Sequence, residues 1–347
     1  MYKTITIALV AIVVMLSATA CGIQTTAATS AAPPSEKHTW STQRSGSNAR
    51  LSAVAIADAK HAWAVGSRGT ILATKDGGVT WTRQRSDSGE TLSGVAFTDP
   101  SHGWAVGHPV NSDASIILAT QDGGETWSKQ RSAPGEALSD VAFVDPDRGW
   151  AVGWNGTILA TTDGGATWSR RHSGTEAALY ALAFIDPDHG LAVGWNGTIL
   201  ATENGGESWT KRRSGTNETG EDGSGLKGVP THAWLADVAF ADASHGWAVG
   251  FGGTILSTTD GGYSWNKRRS GTRETLSAVA FTDADNGWAV GLGGIILSTA
   301  DGGDEWTKRR SGVSTQLSDV AFSGSGKGWV VGFGGTVLTV ANGDAAR

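Results

Sequence analysis

The acidic residue that recurs most regularly in this sequence sits in a turn phrase, T-x-D-x-G-x-T-W. Six copies carry Asp76, Asp122, Asp163, Asn204, Asp260 and Asp301 at the acidic position. A carboxylate at a fixed spacing invites a metal or catalytic reading. Each copy, however, offers one carboxylate, whereas calcium takes six to eight oxygen ligands. A single active site also needs one place that differs, and these six are nearly alike. The phrase is better explained as a turn in which Asp accepts backbone N–H groups, Gly supplies positive φ and Trp packs. A glycosidase would need two carboxylates across a bond, or a Tyr nucleophile with acid and arginine support. Apart from Tyr2, the tyrosines are Tyr180, at the start of an apolar strand-like phrase, and Tyr263, inside a turn phrase. His102, His189 and His245 share one repeated turn position with Arg148, Asn286 and Lys327, which reads as surface. No nucleophile–base pair or metal set stands out, so neither an enzyme nor a cofactor or metal is expected.

Charge concentrates just after the phrase. Four residues beyond its Trp lie Arg44, Arg85, Arg131, His172, Arg213, Arg269 and Arg310. Three residues beyond, the column reads Gln43, Gln84, Gln130, then Arg171, Arg212, Arg268 and Arg309. Cationic side chains on an outer strand block edge pairing, and a repeated Arg can pair with Glu90, Glu136, Glu176, Glu218 or Glu274 in the following loop. A need shared by every repeat would not switch from Gln to Arg partway, so the second column is the preferred binding feature. Trp154, Trp195 and Phe251 follow Val-Gly pairs at expected loop tips and are assigned to the same partner-binding face. Aromatic and basic groups together suit an acidic or C-terminal protein segment, through stacking and charge-assisted hydrogen bonds. A carbohydrate-binding propeller is the alternative, and a sialidase-like glycosidase a weaker one.

These residues must be held by a repeat. The phrase LSxVAF, or a close variant, begins at Leu51, Leu92, Leu138, Leu179, Leu235, Leu276 and Leu317. Seven copies at about 41 residues fall within the range of propeller blades. Each unit contains four short β-rich runs, with hairpin turns at Asp-Pro, Gly and Asp-Gly-Gly positions. The expected fold is all-β, a seven-bladed propeller with four antiparallel strands per blade. The seventh copy stops at Thr339-Val340-Ala341-Asn342-Gly343, before its fourth strand, while Thr39–Gly46 matches a fourth strand. The N-terminal strand is therefore expected to close the last blade. Residues 38–347 would form one propeller, with the longest insertion at 216–234.

Composition agrees. The chain has 347 residues, 50 Gly, 8 Pro and 16 Trp, which excludes collagen-like and disordered classes. Its formal charge of -6 gives no support to nucleic-acid binding. An apolar run after Lys3 and a small-residue stretch before the single Cys, Cys21, read as a signal peptide over residues 1–20. Cys21 is the expected site of lipid attachment, and residues 21–37 the anchor and a flexible tether. The protein would then be exported, membrane-anchored on the extracytoplasmic side and monomeric.

The turn phrase resembles the Asp-box, or BNR repeat, of sialidase-type propellers, although the Phe-Arg-Ile-Pro phrase typical of sialidases is absent. The longer phrase xGWAVGxxGTILxTxDGGxTW resembles the photosystem II stability/assembly factor family and its bacterial relatives, over residues 39–343. That resemblance implies a seven-bladed, non-catalytic propeller that helps assemble a membrane protein complex. It also implies a lipoprotein in some members and binding through an arginine-rich patch.

If Cys21 is acylated, labelled palmitate will enter the wild-type protein, and Cys21→Ser will release it from membranes. Wild-type protein that stays unlabelled would refute the anchor.

Overall fold

The computed structural model describes residues 40–86, 88–109, 114–131, 136–212, 234–324 and 326–340. Cys21, the tether, Arg213 and residues 216–233 of the insertion lie outside them. Seven sheets of four antiparallel strands make up the propeller. In blade one the strands are Leu51–Ile56, Ala62–Gly66, Thr70–Thr74 and Thr82–Gln84, ordered from the axis outward. Each first strand opens with a bulge, as between Leu51 and Ala53.

A blade is apolar on both faces and cannot bury them alone. The seams between blades do so, and each of the seven apolar clusters spans two neighbours. The central contact is an aromatic stack. Trp63 of blade one lies 3.5 Å from Phe97 of blade two at an interplanar angle of 6°. Trp104–Phe143, Trp150–Phe184 and Trp247–Phe281 repeat it. The Trp63 indole N–H then donates to the carbonyl of Gly123, in the Asp-box turn of blade two, at 2.9 Å. Trp104, Trp150 and Trp247 do the same to Gly164, Gly205 and Gly302. Burial and direction are thus supplied by one side chain.

Second strands end in Val-Gly because the next chain passes too close for a side chain. A Cβ on Gly66 would lie 2.0 Å from the Arg50 carbonyl oxygen.

Closure follows the expected route. Ser41–Gln43 is the outermost strand of blade seven and pairs with Val337–Val340, with Thr42 opposite Leu338. Trp40 is 5% exposed and packs edge-on against Phe322, 6.2 Å away. Deleting residues 38–46 will strip this strand and its Trp, a loss of ~3–5 kcal/mol from the Trp alone. Thermal melts and gel filtration should show a lowered melting temperature and aggregation. An unchanged melt would mean the ring closes otherwise.

Candidate binding site

The Asp-box residues are bound to their own turns. In blade one, Thr74 Oγ1 donates to Asp76 Oδ1 at 2.8 Å and accepts from the Gly78 amide at 2.7 Å. The Thr80 amide and hydroxyl both donate to the Asp76 carboxylate, at 2.9 and 2.6 Å. These donors, the Thr80 hydroxyl foremost, hold Asp76 at a pKa of about 2, and Asp122 likewise. Asp163 and Asp260 repeat the arrangement. Asp301 accepts from the Glu305 amide, and Asn204 substitutes its carboxamide, donating to Ser208. Among the described residues no group of three acidic, His or Cys side chains is placed to hold a metal.

The Gln/Arg column sits in the seams. Gln84 Nε2 donates to the Gly123 carbonyl of blade two, and its Oε1 accepts the Trp127 indole N–H at 3.3 Å. Gln43 accepts Trp81 in the same way. Gln130 donates to Gly164, while its Oε1 and the nearby Trp168 Nε1 stay unpaired. Arginine has no acceptor to offer. Where it replaces Gln, Trp209, Trp306 and Trp40 of the following blades keep buried indole N–H groups without a partner among the described residues, while Trp265 finds one, the Gly262 carbonyl. Buried Nε atoms of Arg171 and Arg212 are unpaired as well. Arg268 and Arg309 instead donate Nε to Ser257 and Ser298, at 2.7 Å each, where blades one to four carry Ala.

The structure separates some residues that the sequence groups together. Arg171 borders a groove of about 390 Å³ with Asn155, beside Trp154, at the end of the propeller that carries the loops between second and third strands. Arg212 turns the other way. It pairs with Glu203 at 2.5 Å and covers the Tyr263 ring at 4.4 Å, both on Asp-box turns. These three line a groove of about 240 Å³ between blades four and five, where Leu191 stands in place of the seam Trp. The Tyr263 hydroxyl and Arg212 hold the Glu203 carboxyl below its usual range. Arg268 pairs with Asp304, on the Asp-box turn of blade six. Trp154, Trp195 and Phe251 lie exposed at the opposite end from those turns. In the column four beyond Trp, Arg131 donates to the Trp168 carbonyl and to Glu136, tying its strand to the following loop.

The axis holds residues that sequence reasoning missed. Asp140, Asp237 and Asp319 follow the leading Leu of their first strands by two positions, where the other blades have Ala or Gly. Each carboxylate accepts two amides: that of the next residue in its own strand, and one from the next blade. The second donors are Leu182, Val279 and Val54, at 3.1, 2.8 and 2.8 Å. Three aspartates so tie together blades three and four, five and six, and seven and one. Blade two is the odd member. It carries Gly94, where a Cβ would lie 2.8 Å from the Asp140 Cα. The signal was visible as LSDVAF or LADVAF against LSAVAF, a carboxylate in an otherwise apolar strand. Enclosure by protein raises Asp140 to about 6 and Asp319 to about 7. Burial and repulsion from Asp319 and Asp140 raise Asp237 well above the ordinary value. Above them opens an axial cavity of about 560 Å³, lined by Ser52, Ser93, Ser277, Ser318 and Tyr180.

Seven four-stranded blades, six of them with an Asp-box turn, define this as an Asp-box β-propeller. The chain belongs to the photosynthesis system II assembly factor YCF48 family, whose model matches residues 32–135, 133–178, 172–223, 225–309 and 270–346. Photosystem II assembly protein Ycf48 of Thermosynechococcus vestitus is 45% identical over 40 residues, a match spanning 12% of each chain. A structure of YCF48 bound to a D1 peptide superposes with a TM-score of 0.69 at 22% identity, covering 87% of this chain and 96% of that one. YCF48 from Cyanidioschyzon merolae gives 0.69 at 23% identity, covering 87% and 98%. The same fold extends to a xyloglucanase from Xanthomonas campestris, with a TM-score of 0.66 at 13% identity, covering 88% and 54%.

The axial aspartates predict a pH dependence. Their folded pKa values lie above the unfolded value of about 3.9, so between about pH 4 and 7 the folded state binds more protons. Stability should therefore fall as pH rises through that window. Melting temperatures measured from pH 4 to 7.5 will decline, and Asp319→Asn will flatten the decline. A wild-type melt that rises over this range would contradict the assignment.

Proposed function

We propose that the protein is a non-catalytic assembly factor, exported and membrane-tethered through Cys21, that binds a segment of a membrane-complex protein through the arginines of its blade seams. The observation that carries this reading is the cost of Arg171, Arg212, Arg268 and Arg309. In three of their four seams a buried indole N–H is unpaired, against one of the three Gln seams, and an unmet buried N–H costs roughly 1–3 kcal/mol. Two of the four need a Ser for their Nε. A column that weakens folding is retained for something other than folding. The terminal nitrogens of Arg171 and Arg309 have no partner among the described residues, leaving them to accept carboxylates or carbonyls of a bound segment. A D1 peptide bound to a YCF48 of the same fold supports a peptide as the ligand class. Asp-box carboxylates that are closed within their own turns support a protein without catalysis.

Changing the four arginines to Gln will reduce capture of a partner segment at least tenfold, with a D1-derived peptide as the first probe. Folding will not suffer, because Gln restores an acceptor to Trp209, Trp306 and Trp40; the melting temperature should hold or rise. Arg131→Gln is the contrast and should lower stability while leaving capture intact. Equal capture by the wild type and the four-Gln protein would defeat the proposal.

A further inference from the structure

The loops between second and third strands carry a feature that the arginine seams do not use. In blades four, five and six the tip is a short 3₁₀ turn whose first residue is Trp195, Phe251 or Leu292, and Trp154 holds the same place in blade three. The next residue takes positive φ: Asn155 at 53°, Asn196 at 54°, Gly252 at 63° and Gly293 at 66°. The glycine after it is buried against the adjoining loop. This backbone leaves the first side chain outside, with exposures of 52% for Trp154, 36% for Trp195, 37% for Phe251 and 36% for Leu292. They are four of the six large hydrophobic residues exposed among the described residues; the other two, Val79 and Tyr263, lie on Asp-box turns at the opposite end.

We propose that these loop tips form a docking surface for an anionic lipid bilayer. Because the same loop of the same repeat carries each tip, four consecutive blades present apolar side chains from one end of the propeller. Trp234 joins two of them, stacking on Trp195 at 5.9 Å and touching Phe251 at 4.9 Å. The result is a crescent of separate projections, and the cavity beside it is lined mainly by hydroxyl groups. A peptide helix or strand would need an apolar groove, whereas a flat interface accepts projecting tips. Indole and phenyl groups are the side chains that partition best at the headgroup boundary.

Charge points the same way. The turns at the far end carry an Asp in almost every blade, from Asp58 and Asp76 to Asp283 and Asp301. The fourth-to-first-strand loops at the tip end carry Arg44, Arg85, Arg269, Arg273 and Arg310 alongside Glu90, Glu176 and Glu274, so that end is the more basic of the two. An anionic surface would repel the Asp-box end and attract the tip end. This surface is independent of acylation, because it does not require Cys21; of the four seam arginines, Arg171 lies nearest to it, in the groove beside the Trp154 tip.

The test uses the full chain with Cys21→Ser, so that no anchor contributes, and vesicles of phosphatidylcholine with 30% phosphatidylglycerol as an experimental choice. The protein should sediment with these vesicles more than with pure phosphatidylcholine. Trp154→Ser with Phe251→Ser should weaken partitioning at least tenfold at an unchanged melt, and Val79→Ser should not. Trp154→Phe with Trp195→Phe should keep partitioning but reduce fluorescence quenching by brominated lipid, which a change in folding alone would not produce. Failure to sediment with either vesicle, or equal weakening by Val79→Ser, overturns the proposal. So does loss of peptide capture by the tip variants without vesicle binding, which would assign the crescent to the protein interface.

Discussion

The stack of a second-strand Trp on the next blade's Phe is the contact on which this propeller depends. It excludes water from the seam, and its indole N–H fixes the angle between blades by reaching the next Asp-box carbonyl. Two seams deviate and keep their volume by exchange of partners. Trp329 faces Ile56 between blades seven and one, and Leu191 faces Phe240 between blades four and five. The second exchange removes the indole that reaches the next turn in four other seams. It coincides with the groove of about 240 Å³ in which Arg212, Glu203 and Tyr263 meet. Departures from the repeat and departures from the common seam thus fall together.

The fold was legible because repetition made it so. Seven LSxVAF phrases and the displaced fourth strand at Thr39–Gly46 contained the blade count and the closure, and the Ser41–Thr339 register follows from them. The seam arginines were visible as a column that changed type, but not their direction. Strand alternation tells which face a residue occupies. It does not tell whether a long side chain reaches Glu203 on its own blade's Asp-box turn or Asp304 on the next one's. Arg171 and Arg212 occupy equivalent positions yet line grooves that include different turns. The axial aspartates were missed for a different reason. They alternate between neighbouring blades, so a search for what all repeats share passes over them, and their purpose is apparent only when Val54, Leu182 and Val279 are seen to lie one blade away.

An odd ring cannot be tied completely in pairs. Three aspartates serve six blades, and blade two remains outside, with Gly94 making room for Asp140. Raised proton affinity at the axis is the consequence of burying three carboxylates near one another on amides alone. The seams and the axis therefore divide the work. Aromatic stacks and Asp-box carbonyls hold four of the seams in the same way, while the aspartates and arginines make particular seams unlike the rest. Function is sought where the seams differ, because the shared contacts explain the fold without remainder.

The central claim is that Arg at the seam is paired less well with its neighbouring Trp than Gln would be. A double-mutant cycle of Arg171→Gln with Trp209→Phe measures this directly by thermal or denaturant unfolding. In the Gln background the Trp has an acceptor, so removing its N–H should cost about 1 kcal/mol more than it does beside Arg171. An identical cost of Trp209→Phe in both backgrounds would show that the indole N–H is indifferent to the exchange and that the arginine column carries no folding penalty.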